Sequence, residues 1–176
     1  MGFKEDIEKF KSGIKKDLIQ QKRTAARIAL KKLIYRSPAR SGNYIRSHNV
    51  GISKSGKGRG IGKRHVPVVE AWFEPMDPGE KLSFMAEQYA KKIAYISTAQ
   101  LLDSITIYNV IPYAKNVEYT GWSGDYSFYD PSRGTSINRS WYHPPYHVYG
   151  LTVAEMAVIM PLLPKMVSGN INTGIM

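Results

Sequence analysis

The chain opens on a long helical pattern. Phe3, Ile7, Phe10, Ile14 and Leu18 recur at intervals of four, three, four and four, and the track continues through Ala25 or Ala26, Ala29 and Leu33. That spacing draws one narrow apolar stripe and predicts a single helix over residues 3–35. Lysine and glutamate fill much of the rest of its surface. Such a helix spans about 50 Å at 1.5 Å per residue, more than a compact domain needs. Two readings of the stripe stand side by side: it lies along the chain's own sheet, or it packs on a neighbouring subunit. Ser37-Pro38 ends the helix, because the residue before proline avoids helical geometry.

Beyond it the period changes. Residues 45–52 predict a strand, and so do residues 66–74, rich in valine and aromatics. Helical spacing returns over 82–102 through Leu82, Met85, Tyr89, Ile93 and Ile96, with an interruption expected near Ser97-Thr98. Residues 104–110 alternate as a third strand. Pro112 suits the first position of a short helix running to Tyr119. Residues 121–147 show no element and read as one long loop. Thr152 with Glu155 three residues on reads as a capping box, opening a C-terminal helix that ends near Pro161 or Pro164. The fold class is α+β: a long N-terminal helix, a small twisted and mainly antiparallel sheet, a middle helix and a C-terminal helix. One domain covers 1–165, and an extended tail covers 166–176.

Composition narrows the function. The 176 residues suffice for a core, and the absence of cysteine excludes disulfides and thiolate metal sites. The chain starts without an apolar signal region. Its longest apolar run, Val153 to Val167, is broken by Glu155, Pro161, Pro164 and Lys165. Both features predict a soluble protein with no membrane partner. The net charge of +11 favours an anionic partner. Lys54, Lys57, Arg59, Lys63 and Arg64 concentrate that charge among four glycines. They predict a mobile basic loop over 53–65, either solvated or touching DNA or an acidic partner.

Catalytic patterns are weak. His143 and His147 have the spacing of a helical zinc pair, but Pro144-Pro145 opposes that helix. Glu118, Asp125 and Asp130 could converge, yet Asp130-Pro131 is more simply a turn. Residues 58–63 lack the spacing and the hydroxyl of a phosphate loop. No enzyme activity, metal or cofactor is expected. The aromatic stretch holding Trp122, Tyr126, Phe128, Tyr129 and Trp141 could stack bases, cover a core or form a protein interface. An interface is favoured, because Tyr, Trp and Arg concentrate there. The candidate interface is therefore Ile7, Phe10, Ile14 and Leu18 on the helix with those five aromatics.

Two motifs carry a family resemblance. Ser37-Pro38-x-x-Ser41-Gly42-x-Tyr44 resembles the signature that follows the first long helix in neck and tail-completion proteins of tailed bacteriophages. Residues 107–123, with Asn109, Pro112, Tyr113, Ala114, Glu118 and Gly121, resemble that family's second signature. Arg40 stands where an acidic residue is usual, and Thr120 intervenes before Gly121. The resemblance covers roughly 3–165. It implies a virion structural protein, made in the host cytoplasm, that forms a homo-oligomeric ring of about six copies at the head–tail junction. Its partners would be a portal, adaptor or head-completion protein on one side and a tail terminator or tail tube protein on the other. Packaged DNA is a further candidate partner. The alternative is a basic nucleic-acid-binding protein using loop 53–65, and a hydrolase is a distant third.

Overall fold

A computed structural model describes residues 2–38, 42–53, 77–130 and 134–168. The strand expected at 66–74, the basic loop after Ser53, Ser41 and the tail after Ser168 lie outside the described residues. The α+β class holds.

Helix α1 runs Phe3–Arg36 as expected. The strand expected from Ile45 starts later. Gly42 takes a left-handed conformation, φ 70°, and turns the chain into a short helix, α2 (Asn43–Arg46). Glycine enters that region at little cost. Strand β1 (His48–Ser53) follows and pairs antiparallel with β2 (Ser104–Asn109), from His48 opposite Asn109 to Ser53 opposite Ser104. Helix α3 (Pro78–Ile96) begins before its apolar pattern does. Asp77 accepts from Gly79 N at 2.7 Å, and proline occupies the first turn, where it is tolerated.

Three basic residues of α1 hold the connection from α3 to β2. Lys22 Nζ donates to the carbonyls of Gln100, Leu101 and Asp103. Arg23 donates twice to Ala99 O, at 3.0 and 2.7 Å, and Arg27 donates to Ser97 Oγ at 2.7 Å. Cations suit this connection, because a cluster of carbonyls beyond a helix end presents concentrated partial negative charge. Part of the positive charge is therefore committed inside the fold.

The stretch expected as a loop is a β-ribbon. Strands β3 (Trp122–Asp130) and β4 (Thr135–His143) pair antiparallel, and Gly134, φ 63°, directly precedes β4. Its period-2 pattern was masked by the abundance of serine and glycine. Alternate positions bring Tyr126 opposite Arg139, Phe128 opposite Ile137 and Trp141 opposite Gly124. Trp122 falls in the same set, and Tyr129 in the other, opposite Ser136.

The capping box at Thr152 does not form. Helix α4 (Val148–Ile159) starts four residues earlier, and Thr152 Oγ1 donates within it to Val148 O. Glu155 pairs instead with Lys32 and Arg36 of α1. A 3₁₀ turn, Met160–Leu162, leads into α5 (Leu163–Val167), so helix persists past Pro161 and Pro164. Each proline stands in the first turn of its element and breaks nothing. The run expected to be broken is thus helical over Val148–Val167, long and apolar enough by composition to cross a membrane. Its buried Val148, Thr152 and Leu163 and the Glu155 ion pairs fasten it to the fold.

Two apolar clusters meet at the C-terminal end of α1. Leu30 and Ile34 pack with Ile45, Met85 and Ile96. Leu33 packs with Tyr44, Ile111, Val117 and Val148.

Candidate functional site

The two signature stretches converge on one buried junction. Asn109 ends β2 and uses both ends of its amide. Nδ2 donates to Tyr44 O at 3.0 Å, while Oδ1 accepts from Ser47 Oγ at 2.7 Å and from Ile111 N at 3.0 Å. Only a side chain with donor and acceptor on one short stem makes all three bonds. Tyr44 is buried and stacks on Tyr113, with ring centroids 6.5 Å apart. Pro112 is exposed at the start of the following turn, and Ala114 packs on the second cluster. Pro38 is half-buried just beyond α1.

Glu118 is 5 % exposed and lies in a five-residue π-helical turn, Asn116–Thr120. Its carboxylate accepts from Tyr149 N at 2.9 Å and from Gly150 N at 2.7 Å. It caps α4 from 31 residues away, and the positive end of the helix dipole favours its charge. Gly121, φ 66° and ψ −159°, takes a conformation essentially confined to glycine and launches β3. Tyr146 N donates to Val117 O at 2.7 Å and closes the base of the ribbon.

His48 stands at the centre, fully buried, and sequence reading gave it no role. Its Nε2 lies 2.6 Å from Ser37 Oγ, and its Nδ1 lies 3.0 Å from the Tyr149 hydroxyl. Ser37 Oγ also donates to Leu33 O at 2.6 Å. That carbonyl needs a hydroxyl donor, because Ser37 N bonds Ile34 O instead. We therefore assign the hydrogens in sequence: Tyr149 to Nδ1, Nε2 to Ser37, Ser37 to Leu33. Burial, with Lys92 nearby, lowers the His48 pKa to about 3. Burial raises the Tyr149 and Tyr44 pKa values well above normal, so Tyr149 remains a donor. A serine–histidine pair suggests hydrolysis, but here both residues are buried and the hydroxyl is committed to a carbonyl. The pair ties α1 to β1. A run of isolated polar residues in sequence carries no sign of such a link.

The candidate interface residues separate into two groups. Phe10, Ile14 and Leu18 are 69, 43 and 46 % exposed, and Ile7 is half-buried. Trp122, Tyr126, Phe128, Tyr129 and Trp141 belong to the ribbon, which leaves the junction at Gly121. Lys54, Lys57, Arg59, Lys63 and Arg64 lie outside the described residues. Among the described residues no three His, Asp or Glu gather as a metal site.

No family model, curated protein or solved structure matches this chain.

The arrangement can do two things chemically. The junction fixes the directions in which α1, α4 and the ribbon leave the core. The surfaces so presented are apolar: Phe3 and Phe10 on α1, and Val153, Val158 and Met160 on the last helices, are all more than half exposed.

Proposed function

We propose that the chain is a structural subunit of a tailed-phage virion, closing into a homo-oligomeric ring at the head–tail junction. One face of the ring docks a portal, adaptor or head-completion protein, and the other docks a tail terminator or tail tube protein. The observation that carries the reading is the uncovered N-terminal half of α1. Its apolar stripe resumes, beyond the polar stretch 20–24, at Ala25, Ala29 and the buried Leu33, yet Phe3, Phe10, Ile14 and Leu18 face solvent in the single chain. The motif resemblance supports the position in the virion. Asn109 of the second motif bonds Tyr44 of the first, which gives these two motif residues a joint role. Assembly takes place in the host cytoplasm, with no chemical step.

Light scattering with negative-stain images of the same sample tests the reading. Rings, or monomers that close into rings on concentration or with tail tube, support it. A strict monomer whose affinity for duplex DNA falls steeply with salt replaces it with the nucleic-acid reading, which the +11 net charge favours.

A further inference from the structure

The C-terminal half of α1, β2 and α4 enclose an open groove of about 450 Å³. Ala25, Ala26 and Ala29 form its floor, and Ile105, Val153 and Met156 stand along its walls. We propose that this groove receives the N-terminal half of α1 from a second copy of the chain. The inference rests on the assembly reading and names the contact that would build it.

Continuity of α1 decides which copy supplies the occupant. The helix is unbroken from Phe3 to Arg36, so its N-terminal half extends away from a groove floored by its own C-terminal half. It cannot fold back without breaking. The dimensions agree: Phe3 to Leu18 spans about 22 Å and the floor from Lys22 to Leu33 about 17 Å, at 1.5 Å per residue. An apolar helix face laid in an apolar groove is a recurrent mode of recognition. Alanines on the floor, and Gly13 beside Phe10 and Ile14 with nothing within 4 Å of its Cβ position, let two helix axes approach closely. Phe3 and Phe10 each bring roughly 150–250 Å² of surface. With Ile7, Ile14 and Leu18 this moves the contact toward the 800 Å² or so per partner of a stable interface.

Charge selects a copy of the chain over an anionic polymer. Residues 3–20 carry five lysines and four carboxylates, nearly neutral against +11 for the whole chain. A strongly basic subunit repels this segment least, and DNA or anionic lipid gains little from it. Lys22 at the rim is already bonded to three carbonyls. Stripe and groove are different patches, so their contact repeated head to tail closes a ring where the rotation between copies closes, and otherwise runs on as an open chain.

The chain has no cysteine, so single cysteines report contacts without background. Phe10→Cys and Val153→Cys are both at exposed positions, as is Ile14→Cys, and circular dichroism checks that each variant folds. The α1 variants are mixed with Val153→Cys or Met156→Cys full-length chain under mild oxidation. The expected result is a shift from 19.9 kDa to twice that mass on a non-reducing gel, in the mixtures and not in either variant alone. Cross-linking of an α1 variant only with itself means that two stripes pair, and overturns the proposal. No cross-link in any mixture overturns it too, whether because the chain's own tail or another segment fills the groove or because the chain stays monomeric. Images separate the two readings. Rings without the mixed cross-link defeat the groove contact and leave the ring, while mixed cross-links in open chains defeat the ring and leave the contact.

Discussion

His48 is uncharged because burial denies a ring charge its water. Nδ1 receives the Tyr149 hydroxyl, so protonation there would force that hydroxyl to give up its donor role and accept instead. The sign of the pH effect follows. The folded pKa of about 3 lies below the ordinary 6.5, so the unfolded chain binds the extra proton first. The stabilisation is full above pH 6.5 and is lost progressively as pH falls toward 3. Each pH unit in that window costs up to about 1.4 kcal/mol. Urea unfolding above and below pH 6.5 measures the slope, and His48→Gln should flatten it whatever it does to stability at neutral pH. Glu118 makes a second residue-scale test. Glu118→Gln keeps an acceptor but removes the charge at the α4 N-terminus, and should cost about 1–2 kcal/mol in the same assay. A loss indistinguishable from zero would mean that Tyr149 N and Gly150 N find water instead.

Among the elements, α1 carries two loads. Its last turns are core, with Leu30, Leu33 and Ile34 buried, while its first half is surface. Ile14→Asp should therefore leave the thermal midpoint of the monomer within error and abolish higher-mass species in light scattering. Arg23→Met should do the reverse. It lies outside the groove lining and removes both donors to Ala99 O, and a charged hydrogen bond is worth about 1.5–3 kcal/mol. Reading the sequence located α1, α3 and β2 because each has a sustained period. It missed features whose cause lies far along the chain. Thr152 and Glu155 have the spacing of a capping box, but Glu118 outcompetes Thr152, and Lys32 with Arg36 recruits Glu155. The ribbon was misread because glycine and serine at 123–127 look like loop until their partners at 138–142 are known. Asn109, Glu118 and Gly121 stood out in the sequence through the motif resemblance alone. The bonds and angles they adopt were not legible, since they reach far along the chain or depend on backbone geometry.

At the scale of the whole molecule, the fold is a small core from which three apolar or aromatic features project: the first half of α1, the α4–α5 segment and the β3–β4 ribbon. The positive charge is partly spent inside, at Lys22, Arg23, Arg27, Lys32 and Arg36. Association through the apolar features should strengthen or hold as salt rises, whereas phosphate binding weakens. Sedimentation across a salt series distinguishes them, and dissociation of the oligomer at high salt would count against apolar assembly. The ribbon has a consequence of its own. Its two ends are clasped by Tyr146 N on Val117 O and by Glu118 on α4, and it packs chiefly against itself. Everything that holds the clasp lies outside residues 122–143. The ribbon is thus a cassette in a finished socket. On the proposed reading, its aromatics could be rewritten without touching the bonds of that clasp, so that partner choice would change while the scaffold stays.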